Sequence, residues 1–219
     1  MAKRVLHDEY FKKAKEEGYL ARSAYKLIQI NERFRLIKSG YRVLDLGCAP
    51  GAWLQVASKL VGNTGRVVGL DLKDVREKFQ KNVRVFQGDV RTFDVNTLIE
   101  AAGGKFDVVV SDMAPNTSGA GDDLVSCMLC QEILNRIAEL VQPGSSLAMK
   151  VFEGSEYKPL LNRTSRVFKQ VKGFKPKASR DISREIYIVG EHYKGPIEGA
   201  IRKVGDAMQT DASVEAETE

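Results

Sequence analysis

Long apolar runs are missing from this chain. No stretch of its 219 residues approaches the roughly 18 consecutive apolar residues that cross a bilayer, so no membrane partner is expected. The opening segment MAKRVLHDEYFKKAKEEG is basic but has no apolar h-region. That argues against a secretory signal and for a cytoplasmic protein, or one of an organelle matrix if a presequence has been removed. Cysteine is scarce as well. Cys48, Cys127 and Cys130 are too few for a disulfide framework, which suits a reducing compartment. Cys127 and Cys130 have C-x-x-C spacing, but a structural zinc wants four ligands, and only Cys48 and the distant His7 and His192 could complete the set. No metal is expected. The stretch LVSCMLCQEILNRIAEL is apolar at helical spacing, which puts both thiols on the buried face of a helix. Internal repeats and Pro/Ser-rich linkers are absent too, and the length fits one sizeable core.

What is present is an alternation. Short β-rich runs at 42–46, 66–71, 83–86, 106–111, 145–151 and 185–190 are separated by helical patterns at 51–61, 93–102, 122–141 and 157–170. This rhythm implies βαβ units: an α/β fold with a mostly parallel sheet and helices on both faces. Residues 7–35 read as one or two helices broken at Gly18, outside the alternation. The expected organisation is therefore a helical extension at 1–38, a main domain at 39–195 and a tail at 196–219.

In open α/β sheets, ligands bind at the carboxyl ends of the strands. The first such end is VLDLGCAPGAW, residues 43–53, where Gly47 and Gly51 flank a turn whose backbone can approach a ligand closely. The turn has neither the G-x-G-x-x-G of a dinucleotide site nor the Lys-Ser/Thr of a P-loop. Asp45, just ahead of it, could hold a cationic group or fix the loop by accepting backbone N–H bonds. Asp71 closes the second strand about twenty residues past the glycine turn, where a ribose diol would be gripped. Asp89, after the third strand, could accept from an adenine amine. Three acids around a glycine turn without a phosphate device suit a nucleoside that carries a cation, and S-adenosylmethionine is that molecule.

The charge is uneven. Net charge is +5, yet the last fourteen residues hold five carboxylates and no Lys or Arg, so residues 1–205 carry +10. Residues 163–184 hold eight Lys/Arg against one acid, and residues 1–38 hold ten against five. Such a body suits a polyanionic partner, while the bland alternative is a solvated surface.

The motifs D-L-G-C-A-P-G-A-W and S-D-M-A-P-N (111–116), with A-R-S-A-Y-K-L (21–27), M-K-V-F (149–152) and S-R-E-I-Y (183–187), closely resemble the FtsJ/RrmJ family of S-adenosylmethionine-dependent RNA ribose 2′-O-methyltransferases. The likeness covers about residues 7–192. It implies a Rossmann-like class I methyltransferase fold of seven strands with the last antiparallel, and a basic rim flanking the catalytic mouth. It implies a catalytic set of Lys26, Asp112, Lys150 and Glu185. Cofactor contacts fall on Gly47, Gly51, Trp53, Asp71 and Asp89, with Asp112 beside the methyl donor. The strongest family match is to enzymes that methylate a uridine of large-subunit ribosomal RNA, acting as monomers in ribosome assembly. Relatives acting on tRNA anticodon loops share most motifs but usually lack the glycine that Gly47 supplies.

The chemistry of the residues agrees. A ribose hydroxyl is a poor nucleophile, so a positioned base must take its proton as the methyl moves. Lysine can do so only as the neutral amine, favoured by burial or by a nearby cation such as Lys26. Asp112 and Glu185 would orient the ammonium groups and the hydroxyl. Among other acceptors, amino-group methylation would want an aromatic after D-M-A-P, and C5-pyrimidine methylation often uses Pro-Cys; neither occurs. A non-catalytic RNA-binding assembly factor could dispense with Lys150 and Asp112, yet both are here. A dehydrogenase is disfavoured by the glycine spacing.

Overall fold

The structure, a computed structural model, describes residues 5–115, 121–180 and 182–196, with side chains from residue 9 onward. Asn116 of the S-D-M-A-P-N motif and all of the expected tail except Pro196 lie outside the described residues.

Two helices, α1 (Val5–Glu16) and α2 (Ala24–Phe34), precede the alternation, and Gly18 adopts φ +74° between them. The chain then runs β1 (Arg42–Leu46), α3 (Ala52–Val61), β2 (Arg66–Asp71), β3 (Val83–Gln87), α4 (Val95–Ala102) and β4 (Phe106–Ser111). It continues through α5 (Asp122–Leu140), β5 (Val141–Phe152), α6 (Tyr157–Val167), β6 (Phe168–Phe174) and β7 (Glu185–Tyr193). Local chemistry sets several of these boundaries. Asp94 caps α4 by accepting the Asn96 and Thr97 amides, both at 3.1 Å, and Gly103 ends that helix with φ +73°.

The strands form one sheet in the order β3-β2-β1-β4-β5-β7-β6. The pairs along β3-β2-β1-β4-β5 are parallel, whereas β7 runs antiparallel to both β5 and β6. Because β1 lies mid-sheet and the chain leaves it in both directions, the order reverses between β1 and β4. That is where an open α/β sheet makes a ligand crevice.

Strand alternation divides the core. Leu44, Leu46, Val68, Leu70 and Val109 pack with Leu98 of α4, Ile133 and Ile137 of α5 and Leu160 of α6. Val43, Val67, Val108, Val110 and Ala148 turn the other way, onto Leu27 and Ile30 of α2 and Trp53, Val56 and Ala57 of α3. Cys127 and Cys130 are buried on the inner side of α5, as their helical spacing predicts.

Three boundaries differ from expectation by three residues or more, and one of them is the end of β7, which runs on to Tyr193 instead of stopping at 190. The helix expected over 157–170 ends at Val167, and Phe168–Phe174 is the edge strand β6. Periodicity misses it because its exposed, lysine-bearing face resembles a helix end, while only pairing with β7 makes it a strand. Strand β5 also begins at Val141 rather than 145, immediately after α5.

Candidate active site

The carboxyl ends of β1, β4 and β5 and the amino end of the antiparallel β7, together with α2, gather charged side chains on the α2/α3 face. In the antiparallel pairing, Lys150 lies opposite Tyr187 and Phe152 opposite Glu185. Period-two alternation puts Glu185 and Tyr187 on one face of β7, beside Lys150. Helix α2 lies over that face and delivers Lys26.

The result is two buried ion pairs. Lys26 Nζ meets both Glu185 oxygens, at 2.7 and 2.9 Å. Lys150 Nζ is 2.9 Å from Asp112 Oδ1 and donates to the Asp112 main-chain oxygen at 2.6 Å. Lys26, Lys150 and Glu185 are each only 8% exposed, so these charges are held by one another rather than by water. Tyr187, wholly buried, donates its hydroxyl to Asp112 Oδ1 at 2.6 Å. Burial pushes the Asp112 carboxyl upward, but Lys150, Lys26 and the Tyr187 hydrogen bond outweigh it and hold the group below its ordinary value. Burial, the neighbouring Asp112 and Glu185 charges and the bond to Asp112 drive the Tyr187 phenol well upward, so it stays a donor.

All four residues of the expected catalytic set are thus brought together. Tyr187 is the member that sequence reasoning missed. Its signal was available: it stands two residues after Glu185, on the same strand face.

Beside this cluster lies a cleft of about 420 Å³, lined by Gly47, Ala49, Asp71, Asp89 and Asp112 and by apolar Leu72, Val90, Met113, Val125 and Leu129. Among the expected cofactor positions, Gly47, Asp71, Asp89 and Asp112 line it, while Gly51 and Trp53 stand outside the lining. A Cβ on Gly51, at φ +112°, would run into the Phe79 ring and Leu20, so its lack of a side chain makes room for protein. Trp53 is buried, and its Nε1 donates to the Ser23 carbonyl at 2.8 Å, tying α3 to the start of α2. Gly47 is as crowded: a Cβ there would press on the Met113 backbone. The glycine turn therefore lets the 112–115 segment close against β1.

The acids differ in what already holds them. Asp71 accepts the Ala49 and Lys73 amides, each at 2.8 Å, and so braces the turn after β1. Asp89 accepts the Arg91 amide at 2.9 Å and a forked guanidinium contact; these bonds to Arg91 lower its pKa to about 2. Both line the cleft. Asp45 accepts no bond at all: its carboxyl is wholly buried and both oxygens lack a partner, so it does not fix the loop.

The cleft meets the needs of a cationic nucleoside better than those of a nucleotide. It offers three carboxylates and an apolar lining. Among the described residues two cations also line it, of which Arg91 is taken by Asp89 and Lys73 stands alone, and there is no backbone cradle with Lys-Ser/Thr for phosphate. A sheet of this order with one reversed strand, and such a cleft at its switch point, define a Rossmann-like methyltransferase.

Comparisons agree. The profile of the FtsJ-like methyltransferases matches residues 19–193. The "Ribosomal RNA large subunit methyltransferase E" of Syntrophobacter fumaroxidans is 46% identical over 188 residues, covering 85% of this chain and 95% of that one. The protein of the same name from Methanobrevibacter smithii is 41% identical over 191 residues, 86% and 91% of the two chains. A crystal structure assigned as a ribosomal RNA methyltransferase from Plasmodium falciparum superposes with a TM-score of 0.71 at 30% identity, covering 81% of this chain and all of that one. The chain belongs to the FtsJ-like methyltransferase family.

Proposed function

We propose that this protein transfers a methyl group from S-adenosylmethionine to a ribose 2′-hydroxyl of large-subunit ribosomal RNA, at a uridine, in support of ribosome assembly. The observation that carries the chemistry is the convergence of Lys26–Glu185 and Lys150–Asp112–Tyr187 at one corner of the cleft. The substrate rests on the names of the relatives.

S-adenosylmethionine supplies an electrophilic methyl on a sulfonium. Asp71 would take the ribose diol and Asp89 the adenine amine, each with the lone pairs left over from the bonds described above. Lys150 takes the hydroxyl proton. Asp112 and Tyr187 fix its position, and Lys26, anchored by Glu185, orients the hydroxyl. Holding donor and acceptor in line supplies much of the acceleration with no metal in the step.

The RNA would lie across the two basic segments. They meet physically: Arg22 Nη2 donates to the Ala178 carbonyl at 2.8 Å, and the Ala178 amide donates to Gln29 Oε1 at 3.0 Å. This contact seats α2 against the 176–179 turn, close in the chain to both Lys26 and Glu185. Lys177 is exposed in that turn and Lys169 and Lys172 are exposed on β6, while Lys175 donates to the Ser183 carbonyl at 2.7 Å. In this reading residues 1–38 extend the RNA face, and residues 39–195 form the methyltransferase domain. The protein acts as a monomer, in the cytoplasm or an organelle matrix. Among the described residues no helix is long and apolar enough to cross a membrane.

The test is to incubate purified protein with S-adenosylmethionine and unmethylated large-subunit RNA or particles, with tRNA in parallel, and map 2′-O-methyl groups. A single new uridine methylation in the large-subunit RNA is expected. A methyl only on tRNA would reassign the substrate, and a methyl on a base would end the ribose mechanism.

A further inference from the structure

The buried carboxyl of Asp45 has no role in the machinery above. It sits on β1 in register with Gly69 of β2 and Val110 of β4, and no side-chain or backbone donor reaches it. Buried polar atoms nearly always find partners, so a wholly enclosed carboxyl with none calls for a reason. The titratable groups around it are Asp71 at the end of β2, Asp112 beyond β4 and the Cys48 thiol of the turn. Lys150, Tyr187 and Glu185 stand farther along the same sheet face, with Lys26 above them. Asp71 and Asp112 line the cleft, and so does Gly47, two residues beyond Asp45, which places the buried carboxyl directly behind the cleft wall. A cation placed between those two acids must act on it with sign opposite to theirs.

We propose that Asp45 is a charge sensor beneath the methyl-donor cleft. Its carboxyl carries a proton when the cleft is empty or holds the neutral thioether product, and loses that proton when the cleft holds the cationic sulfonium. The proposal rests on the cofactor reading above. Burial first, then Asp112 and Asp71, push this carboxyl well above the ordinary range, so the empty site favours the acid form. The atoms and charges balance over a cycle. Donor binding releases the Asp45 proton to solvent. In the transfer, the ribose oxygen–carbon bond forms, the carbon–sulfur bond breaks with its electron pair going to sulfur, and the hydroxyl proton goes to Lys150, which passes it to solvent before the next turnover. The sulfonium charge is then gone, and Asp45 takes a proton back. As pH rises, donor is increasingly preferred over product, which speeds product exchange.

The donor and its demethylated product, S-adenosylhomocysteine, share every other group, so their difference isolates the effect. Calorimetric titrations of the intact protein with each, in buffers of unlike ionisation enthalpy, count the protons exchanged. The donor is expected to release up to one more proton than the product. The donor-to-product affinity ratio should climb with pH by at most about tenfold per unit. Asp45→Asn keeps the shape and abolishes the charge, so both differences should vanish while product affinity stays within a few-fold. Equal proton counts in the parent from about pH 5 to 9, or a difference that survives in Asp45→Asn, would overturn the sensor. Binding of neither ligand would instead overturn the cofactor reading. The parent measurements stand alone if the variant does not fold. If it folds, its melting temperature should exceed the parent's by a margin that grows with pH. A raised native pKa gives the parent stability that is full below the unfolded value of about 4 and is lost as pH rises toward the native one.

Discussion

The two faces of the central sheet are built by the same strands and do opposite work. On the α4/α5/α6 face, residues 44, 46, 68, 70 and 109 are aliphatic, and the covering helices answer with Leu98, Ile133, Ile137 and Leu160. One residue along, the α2/α3 face is equally tight near β1 but carries Asp45, Lys150, Glu185 and Tyr187 among its aliphatics. The single-residue offset of a pleated strand separates stability from chemistry. The apolar face gains free energy from each contact, at about 25 cal/mol per Å² buried. The other face holds charges that cost free energy to bury and are tolerated because they hold one another, as in Lys26–Glu185 and Lys150–Asp112.

Substitutions at the two faces should therefore separate folding from function. The largest effect is expected at Lys150. Lys150→Ala should fold and bind S-adenosylhomocysteine, yet lose methyl transfer by about 10²–10⁴-fold in single-turnover assays. Lys150→Arg should fail as well, since guanidinium stays protonated. A Lys150→Arg variant with near-full activity would leave that lysine an electrostatic or positioning group. Next comes Ile133→Ala on the apolar face. It should destabilise by about 2–5 kcal/mol in urea unfolding while leaving product affinity alone where the protein is folded. If both fell together, the two faces would not be separable.

The smallest effect is expected at Tyr187→Phe, which keeps the ring against Trp53 (centroids 5.8 Å apart) and removes only the hydroxyl held by Asp112. It should cost about 1–3 kcal/mol of stability and slow transfer with little change in the RNA KM. An unchanged rate would make Tyr187 a packing residue alone.

Much of this was legible in the amino-acid order. The strands β1, β2, β3, β4 and β7, the helix α5 with its buried thiols, and the set Lys26, Asp112, Lys150 and Glu185 could be placed from periodicity and motif together. Strand β6 could not, because its apolar residues Phe168, Val171 and Phe174 stand three apart, a helical rather than a period-two spacing, and the strand exists by pairing with β7. Tyr187 was visible as part of S-R-E-I-Y but acquired a role only when β7 was seen antiparallel to β5, opposite Lys150.

The acids show where local sequence stops. Asp45, Asp71 and Asp89 look alike as strand-end carboxylates. Local order set their positions, since strand length and turn chemistry are short-range properties. Tertiary structure alone decided that Asp71 braces a turn, that Asp89 is taken by Arg91, and that Asp45 is enclosed without a partner. A carboxyl's charge depends on the solvent and donors within a few ångströms, and strands far apart in the chain supply most of those.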